Sequence, residues 1–210
     1  MDGVAQTAHP ADHATHPMLV KLFDRLTGLH RAALAGTYLT FQSGGEPCGL
    51  RVLQLKKVAH LPSLHPLPGA PKYVLGTVPV DGLNIPVIDL RLKMQMRLPA
   101  SPEQDQQHLV FAYVQRLDGE FQLVGVAVDR VDELVEFAAE EIRPGFQPSV
   151  RISPDFVLGR AVNNGQSVTL LALDHIIPPA LVTQLVEKLI SMDATTVRWS
   201  TETLSSFRLN

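Results

Sequence analysis

Three histidines are the first residues with a spacing that chemistry could use. His9, His13 and His16 lie four and three residues apart, which on one helical face would offer three imidazoles to a metal ion. Pro10 and Pro17 interrupt such a helix, and Asp12 is the only carboxylate between them. The segment therefore reads as a flexible tail. Cys48 is the sole thiol. A nucleophilic cysteine needs an activating base, whereas Cys48 sits in an alternating apolar pattern with no such motif beside it, as a buried cysteine does. Asp89-Leu90-Arg91 and Asp174-His175 follow apolar runs. An Asp–His pair can orient a general base, but short polar residues at strand ends more simply hold turn backbone. Glu140-Glu141 reads as solvated surface. There is no Gly-x-Ser-x-Gly elbow, no His-Glu-x-x-His and no glycine loop leading into a Lys-Ser/Thr helix. No catalytic residue, no cofactor and no metal are expected. An enzyme using Cys48 or the His-rich tail is the lowest-ranked alternative.

The elements around these residues point to a β protein. Hydrophobic residues at 45% and charged residues at 19% fit a globular chain. The net charge of -3 carries no footprint for nucleic acid. A lone cysteine excludes an internal disulfide and fits a reducing compartment. Lys21, Asp24, Arg25 and Arg31 interrupt the first apolar stretch, so no membrane span or leader is expected and the chain reads as cytoplasmic. Residues 1–17 are the tail. A helix is expected over 18–36, where Leu19, Leu22, Phe23, Leu26 and Leu29 fall at helical spacing. Short β runs then flank Gly44-Gly45, Asp81-Gly82, Asp118-Gly119 and Asn163-Asn164-Gly165. Such pairs tolerate the positive φ of primed hairpin turns. After Pro178-Pro179, the apolar stripe Leu181, Val182, Leu185, Val186, Leu189 and Ile190 predicts a second helix over 178–192. Residues 193–210 read as a tail.

The hairpins form two similar halves. Each has a hairpin, a longer connection, an aromatic-Val-Leu-Gly segment and a second hairpin. The segment is Tyr73-Val74-Leu75-Gly76 in one half and Phe156-Val157-Leu158-Gly159 in the other, and the last strands end at Val87-Ile88-Asp89 and Ala172-Leu173-Asp174. This order suggests an internal repeat of two small barrels, since closing a short sheet removes its edges. The subdomains are expected over 37–98 and 108–177, crossing at 99–107. Their strands carry more apolar residues than a barrel of roughly 60 residues can bury, so the halves share a core, bind partners, or both.

These motifs resemble the CheW family of adaptors in bacterial chemosensory arrays, over 37–177. Tyr38-Leu39-Thr40-Phe41 through Gly49 is similar to its opening hairpin. Leu67-Pro68-Gly69-Ala70-Pro71-Lys72-Tyr73-Val74-Leu75-Gly76 is similar to its IPNAPxFVxG stretch. Ile85-Pro86-Val87-Ile88-Asp89-Leu90-Arg91 matches its VPVIDLR strand, and Val124 through Val131 resembles its VGLVVDxV strand. Phe156 through Ile177 resembles the closing hairpin.

The resemblance implies an all-β fold with flanking helices, built from two SH3-like five-stranded barrels. It implies a non-catalytic scaffold in a two-component signalling system. Its partners would be the regulatory domain of a CheA-like histidine kinase and the cytoplasmic tip of a methyl-accepting chemoreceptor. It implies no nucleic acid, and contact with the membrane only through the receptor. Leu55, Lys57, Val58, Gly76, Asp81 and Val87 are carried over as candidate protein-binding residues. Two charges depart from the family pattern: Lys57 stands where the second strand often ends on an acidic residue, and Asp81 stands where the family has arginine. The expectation is that Lys57 and Asp81 face each other as a swapped ion pair. The alternative function is a CheW-like blocker that binds the kinase but not the receptor.

Overall fold

The computed structural model describes residues 29–96, 108–145 and 152–205, with side chains through residue 192. The tail 1–17, the crossing 99–107 and most of the expected first helix lie outside the described residues. Helix α1 is described over 29–34. Strands follow as β1 (Gly36–Ser43), β2 (Glu46–Arg51), β3 (Leu55–His60), β4 (Val74–Val80), β5 (Leu83–Asp89), β6 (His108–Gln115), β7 (Phe121–Val128), β8 (Arg130–Phe137), β9 (Val157–Asn163) and β10 (Gln166–Leu171). Two single-turn helices, α2 (Leu90–Lys93) and α3 (Leu173–Ile176), follow β5 and β10, and α4 runs over Pro179–Ser205. No helix among the described residues is long and apolar enough to cross a membrane.

The strands build two five-stranded sheets, ordered β8-β1-β2-β10-β9 and β3-β6-β7-β5-β4. This corrects the expected subdomain boundaries. Barrel B is continuous from β3 through β7, and barrel A is split around it. Each barrel takes its leading hairpin from one half of the repeat and three strands from the other. The repeat is therefore real in sequence but exchanged in space. The exchange is made by parallel pairs, β5 with β7 and β2 with β10. Parallel neighbours need a long crossover: the chain between β2 and β10 contains the whole of barrel B, and the chain between β5 and β7 contains α2 and β6.

The registers define the equivalence. Val87 lies opposite Gly125, and Leu170 opposite Gly49. Ile88 pairs with Val74, and Leu171 with Val157. Asp89 thus matches Ala172 rather than Asp174, two residues from the expected alignment. The backbone agrees, since Asp89 N–H donates to Tyr73 O at 2.8 Å and Ala172 N–H to Phe156 O at 2.9 Å.

Both barrels close by the same device. Beyond β3 the chain returns to β4, where His65 and Thr77 exchange two hydrogen bonds of 2.8 Å. Beyond β8 it returns to β9, where Arg143 and Arg160 exchange bonds of 2.7 and 2.8 Å. The repeated glycines lie beneath these crossings. A Cβ on Gly76 would stand 2.3 Å from His65 O, and one on Gly159 3.1 Å from Arg143 O.

Three of the four glycine turns are the expected primed type, with both central residues at positive φ: Gly44-Gly45, Asp81-Gly82 and Asn164-Gly165. Asp118-Gly119 differs. Only Gly119 has positive φ, and Arg116 N–H bonds to Glu120 O at 2.8 Å around a three-residue loop. Paired residues Gln115 and Phe121 leave an odd number of residues between them, which a two-residue turn cannot bridge.

The excess apolar residues form a shared core. Tyr38, Phe137, Ile142, Ala161, Val168 and Leu170 fill barrel A. Val78, Ile85, Val87, Leu109, Phe111 and Ala127 are among those filling barrel B. The largest cluster takes the opposite faces of the same strands, including Phe41, Leu50, Ile88, Val110, Val126 and Leu171, and α4 adds Leu181, Val182 and Leu185. Alternate residues along β6 thus enter different cores, as the two-residue strand period requires. The second helix begins as expected and runs on to Ser205 rather than stopping at 192.

Candidate binding interface

The Asp89-Leu90-Arg91 motif is structural. Asp89 caps α2, its Oδ1 accepting from Leu92 N–H at 3.1 Å. Arg91 Nη2 meets Asp89 at 3.3 Å, and Nη1 reaches Asp129 Oδ1 at 3.2 Å. Asp129 in turn accepts from Gly44 N–H in the turn of barrel A at 2.7 Å. Asp89 and Arg91 are each 3% exposed, so this chain of contacts bolts the β1–β2 turn to barrel B within the protein. Burial raises the Asp129 pKa, against the opposing pull of Arg91 and its backbone donors.

The six candidate binding residues separate into two groups. Val87 is fully buried in barrel B, and Gly76 is buried beneath the His65 crossing. Neither presents a side chain to a partner, which corrects their assignment as contact residues. Leu55 is half-buried and packs against the shared core, while Lys57, Val58 and Asp81 are exposed. Leu55, Lys57 and Val58 open β3 rather than end the second strand, and the turn bearing Asp81 reaches this strand.

The expected Lys57–Asp81 pair is also corrected. Lys56 Nζ stands 3.6 Å from Asp81 Oδ2, while Lys57 Nζ lies 4.9 Å over the Phe111 ring. The cause is a β-bulge. Leu55 pairs with Ala112 but Lys57 with Phe111, so Lys56 is the extra residue. With side-chain exposures of 36% and 80%, the Lys56–Asp81 pair contributes only about 0–1 kcal/mol. Its use is in recognition, because an exposed pair can exchange partners. Leu53 in the turn before β3 and Leu83 beside Asp81 are 87% and 65% exposed. Sequence reading missed both. Strand β3, the turn before it and the β4–β5 turn thus expose both charged and apolar side chains on barrel B.

Two other residues weighed for chemistry are placed. Cys48 is fully buried in the shared core, and burial pushes its thiol pKa well up. Asp174 accepts hydrogen bonds from Gln54 at 3.1 and 3.2 Å, and the His175 ring bonds Asp155 O at 2.8 Å rather than Asp174. His9, His13 and His16 lie outside the described residues. Among the described residues no group of three metal-ligating side chains occurs.

The chain matches the CheW-like domain model over residues 37–180. It is 23% identical over 140 residues to the chemotaxis protein CheW of Klebsiella aerogenes, covering 67% of this chain and 80% of that one. It is 27% identical over 136 residues to the chemotaxis protein CheW of Treponema pallidum, covering 65% and 77%. The fold is similar to that of the scaffolding protein TtCheW from Thermoanaerobacter tengcongensis, with TM-score 0.58 and 22% identity over 69% of this chain and 93% of that one. The paired barrels, the buried fates of Cys48 and the Asp-Leu-Arg motif, and these matches agree: the chain belongs to the CheW-like domain family and is a non-catalytic chemotaxis adaptor.

Proposed function

We propose that the chain couples the cytoplasmic tip of a methyl-accepting chemoreceptor to the regulatory domain of a CheA-like histidine kinase. Holding both at once raises their effective concentration and biases the kinase between states. The reading puts the adaptor in the cytoplasm, reaching the membrane only through its receptor. The observation that carries it is the exposed β3 edge of barrel B, where Lys56, Lys57 and Val58 follow the half-buried Leu55 and Lys56 reaches Asp81 in the β4–β5 turn. Such an edge offers the exposed aliphatic Val58 to a helical tip and charges that select among tips. The test is capture of a kinase regulatory domain and a receptor tip from the same source by the purified protein, at two salt concentrations. Capture of both, with the receptor lost at high salt and on Lys57→Glu plus Val58→Glu, is expected. Capture of the kinase alone would identify a blocker, and capture of neither would overturn the coupling.

A further inference from the structure

Two histidines face each other across the ladder of β3 and β6. His60 closes β3, His108 opens β6, and the two are directly paired in antiparallel register. Residues opposite each other on such a ladder have Cβ atoms about 4.5–5.5 Å apart, so both imidazoles project from one face. Their ring centres stand 5.1 Å apart, with the planes tilted by 35°. The next residues of that face, Val110 on β6 and Val128 opposite His108 on β7, are buried in the shared core. His60 is exposed and His108 half-buried, so the pair sits where that core meets solvent. Among the described residues, His108 Nδ1 is shielded from solvent and makes no hydrogen bond. A buried polar atom without a partner is uncommon. In the tautomer that carries its proton on Nε2, this atom offers a lone pair.

We propose that His60 and His108 form a two-ligand site for a tetrahedral divalent transition-metal ion, zinc being the type, which pins β3 to β6. The ring separation decides the geometry. A zinc–nitrogen bond plus the radius of the ring puts a bound ion about 3.2 Å from each ring centre, so two rings at the tetrahedral angle have centres about 5.2 Å apart. A right-angled pair on an octahedral ion would need about 4.5 Å. The observed 5.1 Å is the tetrahedral separation. Rotation about Cβ–Cγ is soft and turns a ring nitrogen without moving the ring centre, so neither strand has to shift.

Imidazole nitrogen selects transition ions over magnesium and calcium, which prefer oxygen. Two imidazoles leave two of zinc's four positions to water, so the ion is held less tightly than in a closed site and exchanges. Strand β3 is hydrogen-bonded to β6 and to no other named strand. A metal bond at its last residue adds a second tie and steadies the strand that bears Lys56, Lys57 and Val58.

The test is titration of the purified full chain, carrying no histidine tag, with zinc chloride, read by the ring proton signals of His60 and His108 in NMR spectra. Both signals are expected to move together and to saturate as one site. His60→Ala and His108→Gln, each checked for an unchanged amide spectrum, are expected to weaken binding at the remaining ring about tenfold or more, because a single imidazole loses the effective concentration of the second. The variant His9→Gln/His13→Gln/His16→Gln is expected to keep the full response, which separates this site from the tail. Magnesium chloride is expected to move neither signal. Ring signals that stay in place under zinc would overturn the proposal. So would a His108 response that survives unchanged in His60→Ala, or one that disappears with the tail histidines. None of these readouts depends on a kinase or a receptor.

Discussion

Gly76→Ala is expected to open barrel B. The added methyl would lie 2.3 Å from His65 O, a backbone atom held by its own bond from Thr77. Relief requires moving the returning strand, which removes the reciprocal His65–Thr77 bonds of 2.8 Å. Two such bonds contribute about 1–3 kcal/mol together. The backbone at Gly76 has φ +145°, a region where a residue with a Cβ is strained by about 1–3 kcal/mol. The expected loss is about 2–6 kcal/mol, a large part of the roughly 5–15 kcal/mol that holds a domain folded. Gly159→Ala is the internal control. Its Cβ would meet Arg143 O and Ile142 Cγ2 at 3.1 Å, which a shift of a few tenths of an ångström relieves. Less unfolded-state freedom returns about 0.4–1 kcal/mol, so the net change stays within about 1 kcal/mol. Urea unfolding of both variants measures the difference, and hydrogen exchange at the Thr77 amide reads the crossing directly. Equal losses in the two variants, or a Gly76→Ala loss below about 1 kcal/mol, would refute the role given to the crossing.

Arg91→Met leaves Asp89 and Asp129 facing each other without their cation, so urea unfolding near neutral pH is expected to show a loss of about 3–5 kcal/mol. Asp129 has a folded pKa above its unfolded value, so its contribution is most favourable at acid pH and is lost as pH rises through the folded pKa. Removing Arg91 raises that pKa further, and the deficit of the variant should shrink as pH falls from about 7 towards 5. A double-mutant cycle of Lys56→Ala with Asp81→Ala should give a coupling below about 1 kcal/mol, and the cycle of Lys57→Ala with Asp81→Ala none. Coupling confined to Lys57 would contradict the bulge. Cys48 should resist a thiol reagent in the native protein and react at the rate of unfolding, as mass spectrometry of labelling at increasing urea would report.

The legible parts of the fold were those with strong local chemistry. Glycine pairs marked the turns, and alternating apolar runs marked β1, β2, β5, β6, β7 and β10. Strands β3 and β8 were not marked. Their residues, Leu-Lys-Lys-Val-Ala-His and Arg-Val-Asp-Glu-Leu-Val-Glu-Phe, are largely exposed, and a bulge in each breaks the alternation. The same bulge hid the ion pair. Without it, simple alternation does not decide which of two adjacent lysines turns toward Asp81. The repeat was readable as an order of motifs, but which hairpin joins which barrel was not, because that choice is made by contacts far apart in the chain. Gly76 and Val87 were selected by position in a motif, and position does not distinguish a residue that touches a partner from one that shapes the strand beneath it.

The exchange of strands has a consequence for what an adaptor can transmit. A chain of two independent barrels would connect its binding faces through a linker, and motion at one face would dissipate there. Here no half of the repeat can close a barrel, because each barrel borrows its leading hairpin from the other half. The largest core lies between the barrels, and the Asp89–Arg91–Asp129 contacts join the β1–β2 turn to barrel B across the same boundary. The barrels therefore stabilise each other, and separating them exposes apolar surface and buried charge together. A load at the β3 face is carried into barrel A by packed side chains. A scaffold that sets the distance and angle between two partners requires that stiffness, and packed cores resist small deformations.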